Sequence, residues 1–110
     1  MIEPPLVHYE TYIREKDRHL VCLCDFKVSS GSGTSEIYYV NMDVDSESEL
    51  FDFKTKALGR SLEDSEKKNF LQAVCQSALK YHLEAARPGK QVHIGPYRSK
   101  ILEEIKAGNI

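Results

Sequence analysis

The chain predicts an α+β fold: a three- to four-stranded antiparallel meander packed against one long and one short C-terminal helix (β-β-β-α-α). Three observations predict it. Period-2 alternation is confined to residues 6–44, a helical apolar stripe runs from Phe70 to Leu83, and stop signals stand at Pro88-Gly89 and Gly108. At 110 residues, 41% apolar and 29% charged, the chain has the balance of one core-forming domain, residues 1–110, and not of a disordered segment.

Pro4-Pro5 keeps the start extended. In Leu6–Ile13, alternation sets Val7, Tyr9, Thr11 and Ile13 on one face and Leu6, His8, Glu10 and Tyr12 on the other. Arg14 to Arg18 is a charged turn. His19 to Val28 carries Leu20, Cys22, Cys24, Phe26 and Val28 on one face, with Val21 and Leu23 behind, so it reads as a central strand. Ser29 to Ser35 is a hairpin loop, and Glu36 to Val44 is a third strand with Tyr38, Val40, Met42 and Val44 inward. Residues 50–53 fit either a short fourth strand or a first helical turn capped by Ser46 or Ser48.

Ser61 and Asp64 have capping-box spacing ahead of the stripe Leu71, Val74, Cys75, Ala78, Leu79, His82, Leu83. Gln91 to Gly95 reads as an extended link. Pro96 opens a short amphipathic helix carrying Ile101, Leu102 and Ile105.

Charge is unevenly spread. Up to Phe53 there are four bases against eleven acids, and from Lys54 eleven bases against six acids. A pI near 6.1 argues against a dedicated DNA-binding protein with a uniformly basic surface. Any nucleic-acid role rests on the C-terminal half. The first five residues lack a secretory n-region, and no run reaches the length of a membrane span. Three cysteines, an odd number, point to reduced thiols and a cytoplasmic location.

Cys22 and Cys24, with His19 or Cys75, raise a zinc reading, but the C-x-C spacing has no matching second pair, so core packing is expected and no metal. Asp43 to Glu49 imitates a calcium loop, yet Ser48 stands where the turn needs Gly and Lys54 where the last carboxylate belongs. The run Ser30 to Ser35 lacks the Lys and the following helix of a phosphate-binding loop. No cofactor is expected. The four histidines do not converge, and no hydrolase or metalloprotease motif appears, so an enzyme (a small hydrolase or isomerase) is the minor expectation.

Residues 87–100 contain four bases, one histidine, one tyrosine and no acid. Arg87, Lys90, His93, Tyr97, Arg98 and Lys100 are therefore the candidate residues for binding nucleic acid or another phosphate ligand, at a helix start whose free N–H groups favour an anion. Arg98 and Lys100 oppose the helix dipole there, which stability alone would not choose. The plainer alternative is a solvated loop paired with the acidic half.

One helix stripe covers one sheet face. The other shows Leu6, Tyr12, Val21, Leu23, Ile37 and Tyr39, too apolar for water. Either the last helix folds across it or a second copy does, and the shortness of that helix favours a homodimer. The expected function is accordingly a small non-enzymatic binding, regulatory or adaptor protein, associating with itself and with a further, unidentified protein and not with a membrane.

Overall fold

The computed structural model describes residues 3–110, so Met1 and Ile2, in the segment read against a secretory signal, lie outside the described residues. The elements run β1 (Leu6–Ile13), β2 (Leu20–Ser29), β3 (Ser35–Asp43), α1 (Ser48–Leu58), α2 (Asp64–Glu84), β4 (Gln91–His93), a 3₁₀ turn Gly95–Tyr97 and α3 (Arg98–Lys106). The expected α+β architecture and meander are present, with sheet order β1-β2-β3-β4.

The strands follow from their composition. β2 is the most apolar, and Cys22, Cys24 and Phe26 on its inner face are essentially inaccessible. It pairs antiparallel with β1 on one side and β3 on the other. In β3, Val40 and Met42 bury on the same face, and Val92 of β4 joins them in the row beside Val40.

Four details depart from the sequence expectation. A bulge in β1 sets Leu6 opposite Phe26 and His8 opposite Asp25. The extra residue flips the phase, so Leu6 packs on the core with Tyr9 and leaves the far face assigned to it. Residues 50–53, left open between strand and helix, are helix, and only the expected cap fails: α1 extends to Leu58 and Gly59 closes it at φ +74°, a left-handed stop that suits glycine. Its cap is Glu47, without a side-chain cap from Ser46 or Ser48. The first three residues of the 91–95 link, Gln91–His93, are a fourth strand, parallel to β3 and reached by the crossover through α1 and α2.

The fourth departure is the start of α2, which lies two residues beyond the expected cap. Glu66 accepts the Glu63 backbone N–H at 3.0 Å, and Arg60 forks that carboxylate from outside at 2.7 and 2.8 Å.

All three helices lie on one side. Phe70, Leu71, Val74, Cys75, Ala78 and Leu79 of α2 meet Leu50 of α1 and Ile101 and Ile105 of α3 in the cluster that includes the inner residues of the sheet. α3 packs against α1 and α2, so it does not fold across the opposite face of the sheet. No helix is long and apolar enough to cross a membrane among the described residues.

Candidate functional site

The basic segment 87–100 forms one wall of a half-open cleft of about 310 Å³ at the β4 edge, lined by His82, Arg87, Pro88, Gln91, His93, Pro96 and Tyr97. Its floor is fixed by hydrogen-bond logic. His82 Nε2 lies 3.0 Å from the Gly89 carbonyl, an acceptor only, so Nε2 carries the proton and donates. In the neutral ring Nδ1 then accepts from the Tyr97 hydroxyl at 2.9 Å. Both residues are buried. This relay pins the loop after α2 to the 3₁₀ turn, and it occupies both nitrogens of His82. A catalytic base would have to be another group.

The six candidate residues separate. Arg87 lies over the Tyr97 ring at 5.5 Å, and with His93 these three line the cleft. Lys90 turns aside, 3.6 Å from Glu36 with both groups half-exposed. Lys100 stands over the Tyr81 ring at 5.1 Å, beside Lys80 at 4.7 Å. Tyr81 in turn stacks on Tyr97, with centroids 6.4 Å apart. Arg98 is committed elsewhere: its Nε donates to Glu47 at 2.8 Å and a second N–H reaches the other carboxylate oxygen. A base at the start of α3 is explained by Glu47, a buried anion of the acidic half that needs a partner. His82 and Gln91 are lining residues outside the sequence-derived set. An apolar-stripe histidine gave no signal that its ring ends at a cleft.

The far sheet face forms a diagonal. Cross-strand pairs place Tyr12 beside Val21, and the next rows set Leu23 opposite Asn41 and Tyr39 opposite Asp25. An apolar stripe Tyr12–Val21–Leu23–Tyr39–Ile37 therefore crosses three strands, with Tyr12 43% and Tyr39 39% exposed, Leu23 and Ile37 half-buried, and Val21 already buried within the chain at 4% exposure. Polar residues flank it: His8, Glu10, Asp25 and Lys27 on one side, Asn41, Asp43, Gln91 and His93 on the other. Gln91 and His93 belong to both the stripe's flank and the cleft, so the two surfaces are continuous.

At the far corner of the sheet Arg14 donates to Asp17 (3.0 and 2.5 Å) and Asp43 (2.7 Å), and the His19 ring is 2.9 Å from Asp43. The oxygens and imidazole are close enough to suggest a metal centre, but the guanidinium already holds both carboxylates. The cluster is an ion-pair clamp closing the 14–19 turn on residue 43. The Asp17 carboxyl is lowered to about 2 by the Arg14 hydrogen bonds. Burial works against Asp43, yet His19, Ser46 and Arg14 bring it below the usual range, and Asp43 raises His19.

A pH dependence follows. The carboxylates stabilise the fold above their unfolded value of about 4, and that contribution is lost as pH falls through their folded values. His19 stabilises below about 6.5 and the contribution is lost as pH rises through its raised folded value. Urea midpoints should therefore peak between about pH 4 and 6.5 and decline on both sides. Asp43→Asn should flatten the alkaline decline. A wild-type midpoint constant from pH 6 to 8 would contradict the clamp.

The three cysteines, all free, meet in the core. Cys22 and Cys24 Sγ are 3.8 Å apart, and Cys75 reaches them from α2, with all three sulfurs within 4.8 Å of one another. Cys24 is pushed up to about 12 by its hydrogen bond to Cys22 and by burial, and Cys75 is raised by the same two causes. Cys22 is lowered by its hydrogen bonding with the Cys24 and Cys75 thiols, against the opposing effect of burial. No family model, curated protein or solved structure matches this chain.

Proposed function

We propose that the chain is a small binding protein without chemistry of its own, which associates through its uncovered sheet face, first with a second copy of itself. One observation carries this reading: every helix packs on one side of the sheet, leaving the diagonal stripe around Leu23 with no helix over it, although Val21 within it is buried by its own neighbours. An apolar centre ringed by polar side chains has the anatomy of a protein interface. Two twisted sheets packing face to face cross at about 30°, a geometry in which diagonal stripes can lie over each other about a two-fold axis. Three buried free thiols accord with a reducing, cytoplasmic setting.

Sedimentation equilibrium tests it. At roughly 50 µM, above the micromolar constants of weak dimers, the mass should be that of two chains. A single-chain mass there overturns the dimer.

The cleft supports a second reading, as a site for a phosphate-bearing ligand such as nucleic acid. Arg87, His93 and Gln91 converge there with no acid among the lining residues. Labelled RNA and DNA should bind at low ionic strength and weaken steeply with salt, and Arg87→Ala should weaken binding about tenfold or more. Failure to bind either at low salt removes this reading. The enzyme reading gains no nucleophile–base pair from the cleft.

A further inference from the structure

All the cysteines of this chain converge, two from the central strand β2 and one from the middle of α2, although Cys75 lies about fifty residues away from the others in sequence. Core packing explains why each is buried. It does not by itself bring three sulfurs to one point.

The geometry is that of a three-coordinate thiolate site. A trivalent centre that keeps a lone pair binds three sulfurs as a pyramid, and at a bond length of about 2.3 Å with angles of about 100° it sets those sulfurs about 3.5 Å apart. The closest pair here is at 3.8 Å and none exceeds 4.8 Å, so the three sulfurs already lie near that spacing and small side-chain rotations, the largest at Cys75, bring them together.

The surroundings decide which ion. The cluster around the thiols is apolar, and among the described residues the only buried polar or charged side chains are Glu47 and His82. Both are committed, Glu47 to Arg98 and His82 to Gly89 and Tyr97. Among the described residues no fourth cysteine, histidine or carboxylate joins the three sulfurs. A zinc ion would want a fourth ligand and, with three thiolates, would leave a net negative charge in the core. A soft trivalent centre needs neither: three thiolates neutralise it, and three-coordination satisfies it.

We propose that Cys22, Cys24 and Cys75 form a binding site for a trivalent thiophile of the arsenite class. The exchange is balanced and involves no redox change. As(OH)₃ reacts with three thiols, three As–O bonds break and three As–S bonds form. Each thiol proton leaves with a hydroxide as water, giving a neutral As(SR)₃ unit and three waters. Entry is short, because the strand cysteines are one strand from the sheet edge. Cys22 pairs with Thr11 and Cys24 with Tyr9 on β1, the edge strand, and Thr11 is exposed. Fraying of β1 uncovers the sulfurs, and capture then staples α2 to β2.

Native mass spectrometry of the intact, reduced, folded chain incubated with sodium arsenite tests this. The expected product carries one arsenic and lacks three hydrogens, all three thiols become unreactive to a thiol-counting reagent, and the melting temperature rises. Cys22→Ala, Cys24→Ala and Cys75→Ala should each lose the three-hydrogen signature. If one variant fails to fold, the other two and the wild-type mass shift still decide. Zinc offered in the same way should not survive gel filtration. No adduct on the folded chain, an adduct formed only in denaturant, one lacking only two hydrogens, or retained zinc in place of arsenic would each overturn the proposal.

Discussion

Replacing Arg98 by Ala is expected to destabilise the protein by about 2 kcal/mol, a melting-temperature drop on the order of 10 °C for a domain of this size. Glu47 is the reason. Its side chain is 8% exposed while that of Arg98 is 42% exposed, so the pair is desolvated mainly on the acid side. Removing the base strands a carboxylate that water cannot easily reach. The full penalty of a broken buried pair, about 3–5 kcal/mol, is tempered because the truncated arginine leaves a path for water. The reverse change is milder. Glu47→Gln leaves a guanidinium at the surface, where hydration replaces the lost partner, and should cost about 1 kcal/mol. Arg98→Lys should recover only part of the loss, since an ammonium does not reproduce the two-pronged contact. Equal costs for Arg98→Ala and Glu47→Gln in urea denaturation would mean that the acid is not the buried member.

The second large effect concerns association. Leu23 lies at the centre of the diagonal stripe, half-buried within one chain and flanked by Glu10 and Asn41 in the neighbouring strands. Leu23→Arg should leave the monomer folded, because the guanidinium lies on the face away from the core and can reach solvent beside Glu10. In a two-fold dimer it brings two like charges into a dry centre, costing several kcal/mol. Dimer affinity should fall by about a hundredfold or more, so a solution showing two-chain mass becomes one showing single-chain mass. Unchanged far-ultraviolet circular dichroism with an unchanged two-chain mass would place the interface somewhere else.

Much of the fold was legible because alternation and helical periodicity are properties of single segments. β2 and β3 could be read from their side chains to within a residue or two, and the buried row of α2 matches its apolar spacing. What escaped depended on partners distant in sequence. Four residues from Leu50 to Phe53 satisfy both periods, and only packing of Leu50 against the helices settles them as helix. Gln91–His93 is too short to declare itself a strand without β3 beside it. The bulge at Leu6–His8 is invisible to alternation, since one extra residue reverses the face without changing the composition.

The candidate site was legible in part for the same reason. A basic run identifies where Arg87, His93 and Tyr97 lie, and the fold joins them at one cleft. It cannot show that Arg98 answers Glu47, fifty-one positions earlier. The convergence of Cys75 on Cys22 and Cys24 likewise exists only once α2 lies across β2.

Methyl NMR of the Leu23→Arg protein with a soluble paramagnetic agent measures most directly whether the helices leave one sheet face open. Ile37 and Val7 methyls should broaden strongly, while Val40, Met42, Ile101 and Ile105 stay sharp and show mutual Overhauser contacts. Contacts from Ile101 or Ile105 to Ile37, or protection of Ile37 equal to that of Val40, would place a helix on the face opposite the core.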